Sequence, residues 1–406
     1  MTTIISLSGI LILLAIAFLF SKHRSDISPR TIGGAFVLQF IIGALALYIP
    51  VGKRILESIS GGVSSVLAYG QAGINFMFGD IGSFKVGFVF AFHVLPVVIF
   101  FSSLVAVLYY LGIMGWVIRV IGGGLQKLLG TSRAESMSAT ANIFVSQTEA
   151  PIVVKPYIAT MTKSELFAVM VGGMATVAGS VLAGYVALGV EMKYLLAASF
   201  MAAPGGLLMA KMLLPEREEL QEGDEFIEAE HDQYVNVIDA AAGGASAGLS
   251  LAVNIGAMLL AFVALIAMMN GFLGWAGGLA GFPELSLQYI LGLAFKPVAF
   301  MLGIPWSEAS IAGSLIGQKL VLNEFIAFID FADQKEVLSA HSQAVVTFAL
   351  CGFANFSSIA IMLGGLATLA PNRRADVAQL GLRAVAAAFM ANLMSAAIAG
   401  FYLSLA

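Results

Sequence analysis

Gln147, Thr148 and Glu149 stand side by side in the run N-I-F-V-S-Q-T-E-A-P, residues 142–151, between strongly apolar stretches. An amide donates and accepts hydrogen bonds, a hydroxyl does both, and a carboxylate accepts. Such a set can present a recognition surface to a polar solute. A second set, Asn323 and Glu324, lies in K-L-V-L-N-E-F, residues 319–325, again within an apolar run. A third lies in C-G-F-A-N-F-S-S, residues 351–358, where Asn355 and Ser358 at spacing three place two hydrogen-bonding groups on one helix face. The plain alternative for these Asn and Ser residues is interhelical hydrogen bonding. A fourth run, G-G-M-A-T-V-A-G-S at 172–180, has glycines that ease unwinding, and Thr176 adds a hydroxyl. Unwound backbone frees carbonyl oxygens, and an oxygen-only set suits a hard cation. The alternative there is close packing of helices through small residues.

The elements around these residues must be membrane helices. The chain has 406 residues, 59% hydrophobic and 11% charged, with a mean hydropathy of +0.94. A soluble domain is about a quarter charged. The apolar runs are long and continuous, which excludes a porin-like barrel of short alternating strands. The predicted fold is an all-α integral membrane protein with eight transmembrane helices, at 3–20, 31–50, 86–112, 166–190, 194–214, 249–273, 343–370 and 382–405. Two broken regions, 134–157 and 282–331, remain as re-entrant hairpins. The mixed stretch Val51–Lys85 and the basic run Trp116–Gly130 read as interfacial amphipathic helices.

A carboxylate at membrane depth costs about 2.5–3.5 kcal/mol on insertion scales, and irregular backbone survives there only inside protein or beside a wet cavity. Twice, an acid-bearing hairpin precedes a long helix with a polar waist, and one more helix follows. That is the pattern of an inverted repeat. Pro151 can start a half-helix whose N–H groups point at the site.

Lys22, Arg24 and Arg30 follow the first span, so its N-terminus is expected outside and the first loop in the cytoplasm. An even span count returns the C-terminus to the outside, and the Lys/Arg bias favours the cytoplasmic side by about two to one. Glu216, Glu218, Glu219, Glu222, Asp224, Glu225, Glu228, Glu230 and Asp232 form an acidic segment, read as a solvated loop. Cys351 is the only cysteine, and the four histidines have no metal-ligand spacing. G-A-S-A-G at 244–248 fits the nucleophile elbow, with Ser246 as nucleophile, but it equally fits small-residue helix packing. No zinc-protease or phosphate-loop motif occurs, so a transporter rather than an enzyme is expected.

Together, S-Q-T-E-A-P, K-L-V-L-N-E-F and C-G-F-A-N-F-S-S-I-A resemble the bacterial branch of the concentrative nucleoside transporters, in the family's order and spacing from about residue 90 to the end. The resemblance implies a sodium-coupled symporter that imports nucleosides by an elevator-type movement. It also implies a homotrimer in the bacterial inner membrane, with periplasmic termini and no nucleic-acid partner. Gln147, Thr148 and Glu149 would face the nucleobase, with Val181 packed against it. Glu324, Asn355 and Ser358 would take the ribose hydroxyls, with Phe353 near the sugar. Asn142, Val145, Thr176 and Val177 would surround one Na⁺, the two valines through their carbonyls. Proton-using members carry S-E-N where this chain has T-E-A, so a proton-coupled symporter is the alternative. Ser146 stands where the family often has Gly. The implied organisation is 1–130 as N-terminal helices, mostly scaffold; 131–215 as the first repeat; 216–275 as the acidic cytoplasmic loop and a scaffold span; and 282–406 as the second repeat.

Overall fold

The computed structural model describes residues 2–83, 85, 87–218 and 234–405. Among the described residues every regular element is a helix. The N-terminal part holds α1 (Thr2–Leu19), α2 (Pro29–Leu47), α3 (Pro50–Phe78), α4 (Phe90–His93), α5 (Leu95–Tyr110) and α6 (Ile113–Leu129). Helix α2 starts where Ser28 Oγ accepts from Thr31 N–H (3.3 Å) and Pro29 takes the first position, which needs no donor. The mixed stretch 51–85 lies largely in the 29-residue α3, and the basic run forms α6.

The first hairpin is α7 (Arg133–Ala141), a turn over 142–149, then two short helices, α8 (Ala150–Val153) and α9 (Lys155–Ile158). The first waisted helix is α10 (Lys163–Ala175) and α11 (Gly179–Ala187), broken at 176–178, and α12 (Met192–Leu213) follows. Capping boxes fix where α7 and α10 begin: Ser132 with Glu135, and Thr162 with Glu165. Helix α13 (Val237–Leu279) leads to α14 (Leu287–Met301) and the second hairpin, α15 (Ala309–Val321) and α16 (Glu324–Gln334). The second waisted helix is α17 (Ala340–Leu350) and α18 (Ser357–Leu369), broken over 351–356, and α19 (Arg374–Leu403) completes the repeat. The region 282–331 thus holds a separate helix, α14, packed against the hairpin helix α15.

Among the described residues seven helical segments are long and apolar enough to cross a membrane, two of them, α4–α5 and α10–α11, counted across a break. The eighth expected span, 343–370, is the pair α17–α18, whose halves are too short singly. The 249–273 span is the middle of the 43-residue α13.

Packing separates two groups. Helices α10, α12, α17 and α19 pack on one another, and α10 and α12 are almost wholly buried. Helices α1 and α2 lie against α19 and α12, whereas the sequence reading groups them with the scaffold. Their apolar faces give no sign of which neighbour they meet. Helix α5 packs along α13 instead. A Cβ on Gly244 would lie 2.6 Å from Ala106 Cβ, and one on Gly248 2.8 Å from Ile99 Cα. G-A-S-A-G is therefore a helix-packing stripe inside α13, with no strand–turn–helix to expose Ser246 as a nucleophile. The acidic segment falls mostly on 219–233, outside the described residues.

Candidate functional site

The tip of the first hairpin rests on the first waist. Gly179 N–H donates to the Phe144 carbonyl (3.1 Å), and a Cβ on Gly179 would come within 2.7 Å of that oxygen. Only glycine permits this approach. A Cβ on Gly173 would lie 3.0 Å from Gln147 Cβ and 3.6 Å from Asn142 Oδ1. The glycines of the first waist therefore let the hairpin tip settle onto it.

Asn142 is fully buried. Its Nδ2 donates to the Ser138 carbonyl (2.8 Å), but Oδ1 has no hydrogen-bond partner. A buried acceptor without a donor costs about 1–3 kcal/mol. Thr176 Oγ1 donates to the Gly172 carbonyl (3.0 Å), which leaves its lone pairs open. The Thr176 carbonyl accepts from Phe353 N–H (3.1 Å), so the two waists cross and bond at this point. Among the described residues no hydrogen bond reaches the carbonyl of Val145 or Val177. Oxygens without donors, gathered where a hairpin tip meets unwound backbone, fit a hard cation such as Na⁺.

Next to this pair of elements runs a continuous polar chain. Gln147 Nε2 donates to Ser358 Oγ (3.3 Å), and Gln147 Oε1 is buried without a partner. Ser358 N–H and the Ser357 hydroxyl both donate to Asn355 Oδ1 (3.0 and 2.6 Å). Asn355 Nδ2 donates to Glu324 Oε2 (3.1 Å). Four of the residues expected to meet the solute, from both hairpins and the second waist, are thereby joined. Asn323 caps α16 by accepting from Ile326 N–H (2.9 Å). Glu324 then sits in the first turn of α16, where the helix dipole favours a carboxylate.

The other expected residues are placed differently. Thr148 packs toward α18: its Cγ2 lies 3.4 Å from where a Cβ on Gly365 would be. Glu149 is exposed, and its Oε2 accepts from Ser146 N–H (3.0 Å), so it turns back on its own hairpin. Ser146 Oγ also meets Thr148 Oγ1 (3.0 Å). Val181 is buried on α11, one turn before Tyr185, and Phe353 is half-buried in the second waist.

Sequence reasoning missed three groups. Tyr185 hydroxyl donates to Glu324 Oε1 (3.2 Å), so both carboxylate oxygens are held, one from each repeat. Asn392 on α19 donates to the carbonyls of Ala175 (2.6 Å) and Cys351 (3.1 Å), at the two waists. Lys319 donates to Asn392 Oδ1 (2.5 Å). The available signal was a lone polar residue in each apolar run, with nothing local to name its partner.

Three family models match the chain: "Na+ dependent nucleoside transporter N-terminus" over residues 8–81, "Nucleoside recognition" over 91–192, and "Na+ dependent nucleoside transporter C-terminus" over 194–400. A nucleoside permease of Helicobacter pylori, NupC, is 50% identical over 415 residues, covering 100% of this chain and 99% of its own. The solved structure of the protein CNTnw in an inward-facing substrate-bound state matches with a TM-score of 0.96 at 56% identity, covering 100% of this chain and 99% of that one. A doubly substituted CNTnw in an outward-facing state matches with a TM-score of 0.97 at 56% identity, covering 100% of both chains.

Proposed function

Because the chain belongs to the Na⁺-dependent nucleoside transporter family, we propose that it is a sodium-coupled symporter importing nucleosides across a bacterial inner membrane, with both termini periplasmic. The observation that carries the sodium reading is the buried, partnerless Oδ1 of Asn142 beside Thr176 and the free carbonyls of Val145 and Val177. An amide oxygen and carbonyls take up a metal cation but hold no proton at working pH, which favours sodium over the proton-coupled alternative.

Those four residues would hold Na⁺, and the ion supplies positive charge that fixes the hairpin tip on the waist. With the tip in place, Gln147 keeps its free carbonyl oxygen for the base, with Thr148 and Val181 beside it. Glu324, Asn355 and Ser358 then offer acceptors and donors for the ribose hydroxyls, with Phe353 against the sugar. Glu149 reaches the base only if it leaves the Ser146 N–H. One charge crossing 100 mV is worth about 2.3 kcal/mol. That supports roughly 50-fold accumulation of a neutral solute before any sodium gradient is counted.

The moving body of the elevator would be the two hairpins, the waisted helices, α1, α2, α12 and α19, which pack together. Helices α5 and α13 would form the stationary part. Inward- and outward-facing structures of the 56% identical CNTnw support two end states. A trimer, implied by the family pattern, would use the apolar face of α13 that includes exposed Leu260, Met268 and Phe272. Uptake of labelled uridine into proteoliposomes, with and without an inward sodium gradient, tests the reading. Accumulation that follows sodium is expected. Uptake driven by outside acid and indifferent to sodium would overturn it.

A further inference from the structure

The inverted repeat gives each half a site of the same kind. In each half the hairpin's first helix and the first half of the waisted helix both end near the centre: α7 at Ala141 and α10 at Ala175, then α15 at Val321 and α17 at Leu350. Helix C-termini carry partial negative charge and attract cations. In the first half that place holds Asn142 with its free oxygen. The second half holds Lys319. Asn142 is the first residue past α7, and Lys319 lies in the last turn of α15, two residues before its end.

Lys319 is fully buried in the last turn of α15. Its Nζ donates to the Ala349 carbonyl at the end of α17 (3.4 Å) and to Asn392 Oδ1 (2.5 Å), and it stands 5.2 Å from the Phe389 ring centroid. Two oxygens and a ring face make a cation's coordination shell. Among the described residues no carboxylate forms an ion pair with it. Asn392 presents its oxygen to the ammonium and its NH₂ to the Ala175 and Cys351 carbonyls, which ties the cation to both waists. The backbone is shaped around this hub. A Cβ on Gly352 would fall 2.3 Å from Asn392 Oδ1 and 2.8 Å from the Ala175 carbonyl.

We propose that the Lys319 ammonium is the resident cation of the second repeat, filling the place that a coupling ion takes in the first, so that one sodium ion moves with each nucleoside. The inference rests on the sodium-coupled reading above. It makes Lys319 a positioning residue: through Asn392 it holds both waists in the geometry that binds ion and solute.

The test uses the full chain in proteoliposomes. The sodium-to-nucleoside ratio, read from the reversal potential, should be one; a ratio of two overturns the proposal. Transport with no sodium dependence would instead sink the sodium-coupled reading itself. In Lys319→Met the vacated place should admit a second sodium ion. Nucleoside Kd should rise about tenfold at the sodium level that saturates the parent. More sodium should restore it, with the Hill coefficient for sodium moving from near one toward two. Lys319→Arg, which keeps the charge, should stay near one. An unchanged Kd and Hill coefficient in Lys319→Met would refute the idea, and so would a loss that sodium cannot restore, since that marks a merely structural lysine. If the Met variant does not fold, the parent's ratio alone decides.

Discussion

The two hairpins share a plan and differ at their tips. The second is finished: Asn323 caps an 11-residue helix, and Glu324 is buried with a donor on each oxygen. The first is loose by comparison. Its turn leads into two four-residue helices, Glu149 is exposed, and Asn142 and Gln147 each keep an unpartnered oxygen. A tip whose polar groups are satisfied within the protein is preorganised for its ligand. A tip with open acceptors needs something from outside to complete it. On the proposed reading, the difference would give the ribose a standing site and make the base site conditional on the ion.

The largest expected effect breaks the finished side. Glu324→Gln removes the charge that accepts vicinal hydroxyls and places an NH₂ against one of the two donors, Tyr185 or Asn355. Uridine uptake should fall about 100-fold, since a hydrogen bond to a charged group is worth about 1.5–3 kcal/mol and one of the two donors loses its acceptor as well. Near-normal uptake would remove Glu324 from the ribose site. Next, Asn142→Ala strikes the open side. The sodium concentration for half-maximal uptake should rise about tenfold or more, corresponding to about 1.4 kcal/mol or more, while the maximal rate at high sodium changes less. Equal shifts in sodium and nucleoside dependence at all concentrations would erase the distinction between the tips.

Tyr185→Phe sharpens the comparison. It removes one of the two donors on Glu324 and leaves packing intact, so nucleoside affinity should drop about three- to twentyfold, in line with about 0.6–1.7 kcal/mol for a hydrogen bond inside a membrane. Sodium dependence at saturating nucleoside should stay put. The smallest effect lies at the base of the second hairpin. Burial there would raise the Glu308 carboxyl, but donors from Ser342 and Ser339 and the nearby His341 hold it below the usual carboxylate range. A lowered value means that its stabilisation is present at neutral pH and fades as pH falls through and below the ordinary range. Glu308→Gln should therefore lower thermal stability in detergent slightly at pH 7, with the gap closing near pH 4. A gap that widens in acid would show the carboxyl acting with the opposite sign.

The polar residues proposed to meet the solute stood out because polar groups in apolar runs have few explanations, and the same pattern occurred twice. The waists were legible through Gly172–Gly173 and Gly352. The ends of α13 were not: beyond 249–273 its small residues continue the helix without lengthening the apolar signal. Nor was the separation of α14 from the second hairpin, since both carry similar apolar patterns. The partners of Asn392 were out of reach, because its bonds to Ala175 and Cys351 span 217 and 41 positions. The turn of Glu149 back onto the Ser146 N–H depends on rotamer choice, which no spacing encodes.

Helix α13 is 43 residues long, about 64 Å at 1.5 Å per residue, against a hydrocarbon layer of about 30 Å. Its Gly244 and Gly248 stripe clamps it to α5, while its contacts with α14 and α16 are sparse. Such a strut would act as a guide rail that outlasts the layer it stands in. On the elevator reading, a carriage sliding along it would keep a bearing surface over its whole stroke, and shortening the rail would limit travel without touching the cargo site.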